Sequence, residues 1–509
     1  MAARTSLGHV VGRLAETGLI SPGSVAAFAA AAAGSGVNLA ALLGFAARRR
    51  KGAIALVDDG VSISFTDLAA QCDRMAAALR DAHGVRRGDV VGVLCRNGAG
   101  LVRAVFGASR LGARVTLLNP EMASPQLLAL IQGRDIKLLI AEDGTRESVE
   151  GAACPVLLSN AVLEAAPASY RRLARVSGGE LVVLTGGTTG APKAARRKPS
   201  VRNFALLFVH LVTALGLDRH PSCYLAVPLF HGYGIAAYIV AVALGRTVYL
   251  VPKFRAPAAC ALIARERLEV VAVVPSMLQR LLAEPDADLS SLKCVITGGA
   301  ALPAPLAVAT RERLGDVLFN LFGTSEAGVA MFATPADLAA APDTIGREIW
   351  GVHVTIRDDK DAALPTGQTG RLCVQSRAAV AQGAWIETGD VGFRDEAGRL
   401  FVRGRIDDMI VSGGENVNPW EVESVLLTHP EVKEAAAVGV PDPDFGQRLV
   451  AFVALRPGST LTPEVLRAWL AERVARYQRP RAIEFRPELP LTAVGKINKR
   501  ALAAEITQA

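Results

Sequence analysis

The sequence predicts an α/β fold, with one large domain built on open sheets and a small domain after it. Two observations carry this. First, apolar runs at 89–95, 113–119, 136–141, 180–185, 223–228, 246–252, 270–275, 294–299 and 317–323 end at Gly, Pro or polar turns. Many are continuous rather than alternating, as in parallel strands covered on both faces, and stretches of helical spacing lie between them. Second, the pattern changes after residue 404, where a charged, turn-rich passage opens a shorter α/β series. A chain of 509 residues is in any case too long for one core. The expected division is a helical extension at 1–50, a large domain at 51–406 and a small domain at 407–509.

The extension comes first. Residues 17–47 carry no charge and "RRRK" follows at 48–51. That imitates a membrane span with a basic flank. Pro22, Gly23, Gly34, Gly36 and Asn38 interrupt the run, and its apolar content is mostly alanine. A helical extension is therefore expected, with a membrane-surface contact as the alternative. Arg4 is followed by no compact apolar core, so no secretory signal is expected.

In the large domain, helices are expected at 64–83, 99–112, 256–267 and 304–314, and buried helices at 203–217 and 235–245. Ligands of an open α/β sheet bind beyond the carboxyl ends of its strands. The loops 185–193, 228–234, 298–302 and 322–326 each follow such a strand and are expected at one sheet edge. In the small domain the pattern gives helix 419–428, strands near 432–440 and 447–455, helix 462–475 and strand 482–487.

Composition excludes several classes. Half the residues are hydrophobic and a fifth charged, which is globular rather than disordered. The net charge of +8 comes without an aromatic-interleaved basic stripe, so no nucleic acid is expected, while polyanionic ligands suit it. Seven scattered cysteines without a C-x-x-C pair, and no H-E-x-x-H, argue against a zinc site. They read as buried free thiols in a reducing cytoplasm.

Chemistry is carried by loops. "VLTGGTTGAPKAA" (183–195) looks like a phosphate loop, yet two residues separate Gly190 from Lys193 and no Ser or Thr follows the lysine. Thr185, Gly186, Gly187, Thr188, Thr189 and Gly190 offer hydroxyls and unshielded N–H groups, and Lys193 adds charge. In "PLFHGYG", His231 stands between a strand end and two glycines. "TGGAALP" (297–303) ends a strand where a flat ring could pass the backbone. In "NLFGTSEAG" (320–328), Phe322 offers a stacking face, and Ser325 and Glu326 offer oxygens for Mg²⁺. Asp390 in "WIETGD" reads as a turn carboxylate for a ribose diol, with Arg405 as a second contact. Lys496 follows Gly495 in a polar turn near the end.

These six ordered motifs resemble the adenylate-forming superfamily in its acyl-CoA synthetase branch, and the match spans nearly everything after residue 50. The resemblance implies a small barrel-like sheet in the large domain and a mobile α+β C-terminal domain. It implies ATP, Mg²⁺ and coenzyme A, and two half-reactions: a carboxylate gives acyl-AMP and pyrophosphate, and the CoA thiol then takes the acyl group and releases AMP. By position, the loop Thr185–Lys193 covers the β- and γ-phosphates. Lys496 bridges carboxylate and α-phosphate. Ser325 and Glu326 hold Mg²⁺ and phosphate, within a turn that includes Gly323 and Thr324. Phe322 stacks on adenine against Gly299, Ala300 and Ala301, with Asn320 nearby. Asp390 and Arg405 hold the ribose, and His231 lies beside the acyl carboxylate. Asp407 matches the hinge, and Gly413, Gly414 and Glu415 replace Lys496 at the site in the second state.

The sequence departs from the family pattern in small ways: Phe322 stands where Tyr is usual, Ala301 for Pro and Ser325 for Thr, and the segment before Trp385 is short. The acid is expected to be a medium- or long-chain fatty acid, with an aryl acid, or a carrier protein in place of CoA, as alternatives. A non-catalytic relative is disfavoured by the presence of Lys496 and Glu326. Whether the chain forms a homodimer is left open.

Overall fold

The computed structural model describes residues 12, 14–166, 169–185, 193–197, 201–381, 383–412, 415–442, 446–492 and 495–508. At 185, 193–197, 201–203, 411, 415–416 and 507–508 only the backbone is described. Among the described residues the strands form sheets of thirteen, six and five strands.

The six-stranded sheet runs in the order Val156–Leu158, Leu138–Ala141, Val90–Leu94, Arg114–Leu117, Glu180–Thr185 and Lys193–Arg197. All pairs are parallel except the last. Val90–Leu94 and Leu138–Ala141 are buried at every residue, which explains their unbroken apolar sequence.

The thirteen-stranded sheet has a parallel half and an antiparallel half. Leu318–Thr324, Cys294–Gly298, Val270–Val273, Ser222–Leu225, Thr247–Leu250 and Ile54–Asp58 pair in parallel, and Val61–Ser64 closes that edge antiparallel to Ile54–Asp58. From Leu318–Thr324 the ladder turns antiparallel through Gly328–Ala333 and Thr344–Glu348. It continues through Leu400–Arg405, Trp385–Arg394, Gly370–Ser376 and Val352–Arg357. The small barrel-like sheet implied by the resemblance is thus the antiparallel continuation of the large sheet through Thr344–Glu348.

Asn97, 5% exposed, ties the two large sheets together. It follows Val90–Leu94 of the smaller sheet. Its Nδ2 donates to the Val227 carbonyl at 3.0 Å, and its Oδ1 accepts from the Leu229 N–H at 2.7 Å. These bonds hold the segment that leads into His231. The loops expected at one sheet edge therefore come from two sheets: 185–193 from the smaller, the other three from the larger.

The last sheet begins at Ile410, just past the hinge candidate. In its strand Gly446–Leu455, Leu449, Ala451 and Val453 enter one buried cluster, while Val450, Phe452 and Ala454 enter another. That alternation of period two puts helices Pro419–Leu426 and Pro463–Ala471 on one face and Lys499–Gln508 on the other. Helix Lys499–Gln508 was not expected from the sequence.

The N-terminal segment folds as helices Pro22–Ser35 and Leu39–Arg49. Ser21 and Asn38 cap them, each accepting a bond from the first turn. Among the described residues no helix is long and apolar enough to cross a membrane.

Candidate active site

A continuous cavity of about 2570 Å³ is lined by His231, Gly299–Ala301, Asn320, Phe322–Glu326, Asp390, Arg405, Asp407 and Lys496. The structure thus brings together the described residues of five of the six motifs. Gly186–Gly190 and Gly413–Gly414 lie outside the described residues, as do the side chains of Thr185, Lys193 and Glu415. The backbones of Thr185 and Lys193 pair across adjacent antiparallel strands, which places both ends of that loop.

Two positions differ from the sequence reading. Asp390 is inside strand Trp385–Arg394 rather than in a turn, and Phe322 is inside strand Leu318–Thr324 rather than in the loop after it. The reason is the same in both: glycines beside them read as turn formers but serve close approach. A side chain at Gly389 (φ +78°) would meet the Arg405 guanidinium at 2.6 Å, and one at Gly323 would meet the Gly328 carbonyl at 2.2 Å.

Asp390 pairs directly across the ladder with Arg405. Its Oδ1 lies 3.3 Å from Arg405 Nη1, and Arg405 Nη2 lies 3.3 Å from Asp407 Oδ2. Asp390 is 7% exposed, and this burial raises its pKa despite the opposing pull of Arg405 and Lys496. Arg405 thus bridges the ribose carboxylate candidate to the hinge candidate.

Lys496 belongs to the small domain yet stands among residues of the large one. Its turn is closed by the Gly495 N–H donating to the Thr492 carbonyl at 2.8 Å. Ser276 of the large domain donates to the Gly495 carbonyl at 2.7 Å. Gly495 has φ +73°, and a Cβ there would meet Ser276 Oγ at 2.8 Å, so only glycine lets the turn seat this closely. The Lys496 side chain is open to the cavity but enclosed by protein on its other sides. Burial lowers its pKa, Arg405 adds to this, and Asp390 opposes it. Ser276 was not found from sequence, where nothing distinguishes it from other serines at a helix start.

His231 caps the N-terminal end of helix Gly232–Leu244. Gly234 is required there because a Cβ would fall 2.1 Å from the Pro228 carbonyl. His231 Nε2 is buried with no hydrogen-bond partner among the described residues. Burial pushes its pKa down to about 4, and the nearby Lys496 charge adds to the effect. His210, stacked on Trp350 at 4.3 Å, is also held at about 4 by burial. Its Nδ1 accepts from the Trp350 N–H at 2.9 Å. Both rings are neutral when folded and bind a proton more readily when unfolded. Their stabilising contribution is therefore full above the ordinary value of 6.5 and lost as pH falls towards 4. Thermal melts should show Tm falling over that interval, with a smaller fall in His210→Gln.

The adenine candidates line the cavity from adjacent strands. Gly299 (φ +77°), Ala300 and Ala301 follow strand Cys294–Gly298, and Phe322 comes from the adjacent strand. Asn320, 4% exposed, leaves its Oδ1 buried without a partner among the described residues. A buried orphan acceptor costs free energy unless a ligand donor meets it.

For Mg²⁺ the donor set is sparse. Among the described residues no cluster of three His, Cys, Asp or Glu side chains could hold a resident ion. Ser325 and Glu326 sit in the hairpin turn between Leu318–Thr324 and Gly328–Ala333, with Glu326 exposed. One carboxylate and a hydroxyl fit a cation that keeps waters and arrives on substrate phosphates.

Comparison with known proteins agrees with this geometry. The model of the AMP-binding enzyme family matches residues 44–385, and that of the AMP-binding enzyme C-terminal domain matches 421–496. A 2-succinylbenzoate–CoA ligase of Geobacillus kaustophilus is 32% identical over 472 residues, covering 88% of this chain and 94% of the relative. An indoleacetate–CoA ligase of Aromatoleum aromaticum is 32% identical over 474 residues, covering 86% and 92%. Among solved structures, the o-succinylbenzoate CoA synthetase of Bacillus subtilis in complex with its acyl-adenylate intermediate superposes with a TM-score of 0.80. It is 27% identical and covers 91% of this chain and 97% of that one.

Proposed function

We propose, from the premise that this chain belongs to the AMP-binding enzyme family and is an AMP-forming acid–thiol ligase using ATP, Mg²⁺ and CoA, that its substrate is an aromatic carboxylic acid. What carries the reading is the agreement between two curated relatives whose named substrates are aromatic acids and a cavity that has ring-bearing walls beside His231. Phe204, Phe208 and Tyr233 line it, and the Tyr233 hydroxyl is spent on the Ile296 carbonyl at 2.9 Å, leaving its ring as surface. This replaces the fatty acid expected from the sequence, since the relatives favour the aryl alternative.

In the first half-reaction the acid's carboxylate oxygen attacks the α-phosphorus, a P–O bond forms and the bond to pyrophosphate breaks. No protein nucleophile is needed, and rate comes from positioning and charge stabilisation. The Lys496 ammonium stands between the acid and the α-phosphate. Neutral His231 lies beside the carboxylate and does not compete with Lys496 for charge. Phe322 stacks on adenine, Asn320 Oδ1 accepts from its amino group, and Asp390 with Arg405 receives the ribose. Mg²⁺, when bound through Ser325 and Glu326, offsets phosphate charge.

In the second half-reaction the CoA thiol gives its proton to solvent, its sulfur bonds the acyl carbon, and the C–O bond to AMP breaks so that AMP leaves. In the orientation seen here the lysine turn is seated at the site of the first half-reaction. The small domain, residues 407–509, therefore turns at Asp407, and the segment Gly413–Glu415 takes the place of Lys496. The 3₁₀ turn Ile406–Asp408, between the last strand of the large sheet and the first of the small one, supports this hinge.

A direct test is incubation with Mg-ATP, CoA and a mixture of aromatic and fatty acids, with mass-spectrometric identification of the thioesters. Aromatic acyl-CoA should dominate. Dominance of medium- or long-chain fatty acyl-CoA would overturn the substrate assignment.

A further inference from the structure

The cavity does not end where a single aromatic ring would end. Along helix Gly232–Leu244 it is lined by Gly232, Ala236, Ile239, Val240 and Ala243, a stripe at helical spacing that faces it along the whole helix. Eleven residues at 1.5 Å each make this wall about 17 Å long. A benzoate ring anchored at His231 fills only the first part of it.

The far wall comes from a part of the chain outside the matched family region, which begins at residue 44. Leu19, Ile20, Val25, Phe28 and Leu42, from and beside the N-terminal helices, line the same cavity. These helices are fixed in place rather than merely nearby. Helix Leu39–Arg49 packs on helix Gly232–Leu244. Phe28 packs edge-on against Phe45 with ring centroids 5.9 Å apart. The Val176 N–H donates to the Ser35 carbonyl at 3.0 Å, and Asn38 Nδ2 donates to the Val176 carbonyl at 2.8 Å. Arg110, only 5% exposed, reaches the Gly34 carbonyl at 3.3 Å. At the rim, Ile20 and Val25 are both cavity-lining and solvent-exposed, at 37% and 56%.

We infer that residues 19–28 form the distal subsite of the acid pocket, which takes an apolar extension of the acid and discriminates acids by the length of that extension. The inference rests on the reading that the acid lies beside His231. The subsite is apolar on all the named side chains, so the part of the acid it holds is an alkyl or aryl group rather than a second carboxylate. Phe28 and Ile20 are its specificity-determining residues.

The test compares benzoate with 4-alkylbenzoates of increasing length in wild type, Phe28→Ala and Ile20→Glu, measuring AMP release with saturating Mg-ATP and CoA. Ile20 is exposed at the rim, so its variant folds even if Phe28→Ala does not. The KM of the longest acids should rise at least tenfold in both variants, with KM for benzoate and for ATP unchanged. An equal effect on all acids, or no effect on any, would overturn the subsite. If wild type activates no aromatic acid, the substrate reading has failed, and this outcome is distinguishable because it appears before any variant is made.

Discussion

Lys496→Ala should lose acyl-AMP formation by a factor on the order of 10²–10³, the usual effect of removing one preorganised charge from a developing anion. The ammonium is carried by a turn that Ser276 anchors at 2.7 Å, and it lines the same cavity as Asp390 and Arg405. The loss should be confined to one half-reaction. Supplied with synthetic acyl-AMP and CoA, the variant should make thioester at close to the wild-type rate, because that step uses the other orientation of the small domain. ATP–pyrophosphate exchange and single-turnover thioester formation separate the two. A variant equally slow in both would show that Lys496 acts by holding the structure together.

Asp407→Pro should do the reverse. A 3₁₀ turn has φ of about −50° to −70°, which is where proline is fixed, so the ring fits residue 407 in the state seen here, at the cost of disfavouring the helical backbone of Ile406 before it. In that state Lys496 is seated, and pyrophosphate exchange should survive within a few-fold. Rotation of the small domain requires residue 407 to leave its present backbone conformation, and proline resists that. Thioester formation should fall at least a hundredfold, with acyl-AMP accumulating on the enzyme. Asp407→Ala separates the ring's effect from loss of the carboxylate contact with Arg405, and should be mild in both steps. If the proline variant completes the cycle normally, the pivot lies elsewhere.

Much of this site was legible in the sequence, and the limits have physical causes. The parallel strands were legible because burial on both faces forces unbroken apolar runs, as in Val270–Val273. The antiparallel ladder from Gly328 to Arg405 was mostly not read, because attention to unbroken apolar runs passes over one-sided strands such as Val352–Arg357, whose apolar and polar residues alternate. His231, Phe322, Asp390 and Lys496 stood out because glycines lie beside them, whereas Asn320 and the roles given to all of these residues came from the family resemblance; the structure adds that they line one cavity. Which glycines form turns and which permit close approach could not be separated, and Asp390 and Phe322 were misplaced for that reason. Ser276 and Asn97 carry no local signal, because their partners at Gly495 and at Val227 and Leu229 are more than a hundred residues away. The N-terminal helices were recognised as helices, but composition could not tell that they close a pocket. The choice between an aliphatic and an aromatic acid was not legible for a similar reason: apolar pocket residues do not separate an alkyl chain from a ring.

The most direct measurement is AMP release with Mg-ATP across a panel of aromatic and aliphatic acids, each with and without CoA. The account predicts that aromatic acids give sustained AMP release only when CoA is present, and that aliphatic acids of similar size are weak. Sustained turnover without CoA, or a preference for fatty acids over every aromatic acid, would contradict it.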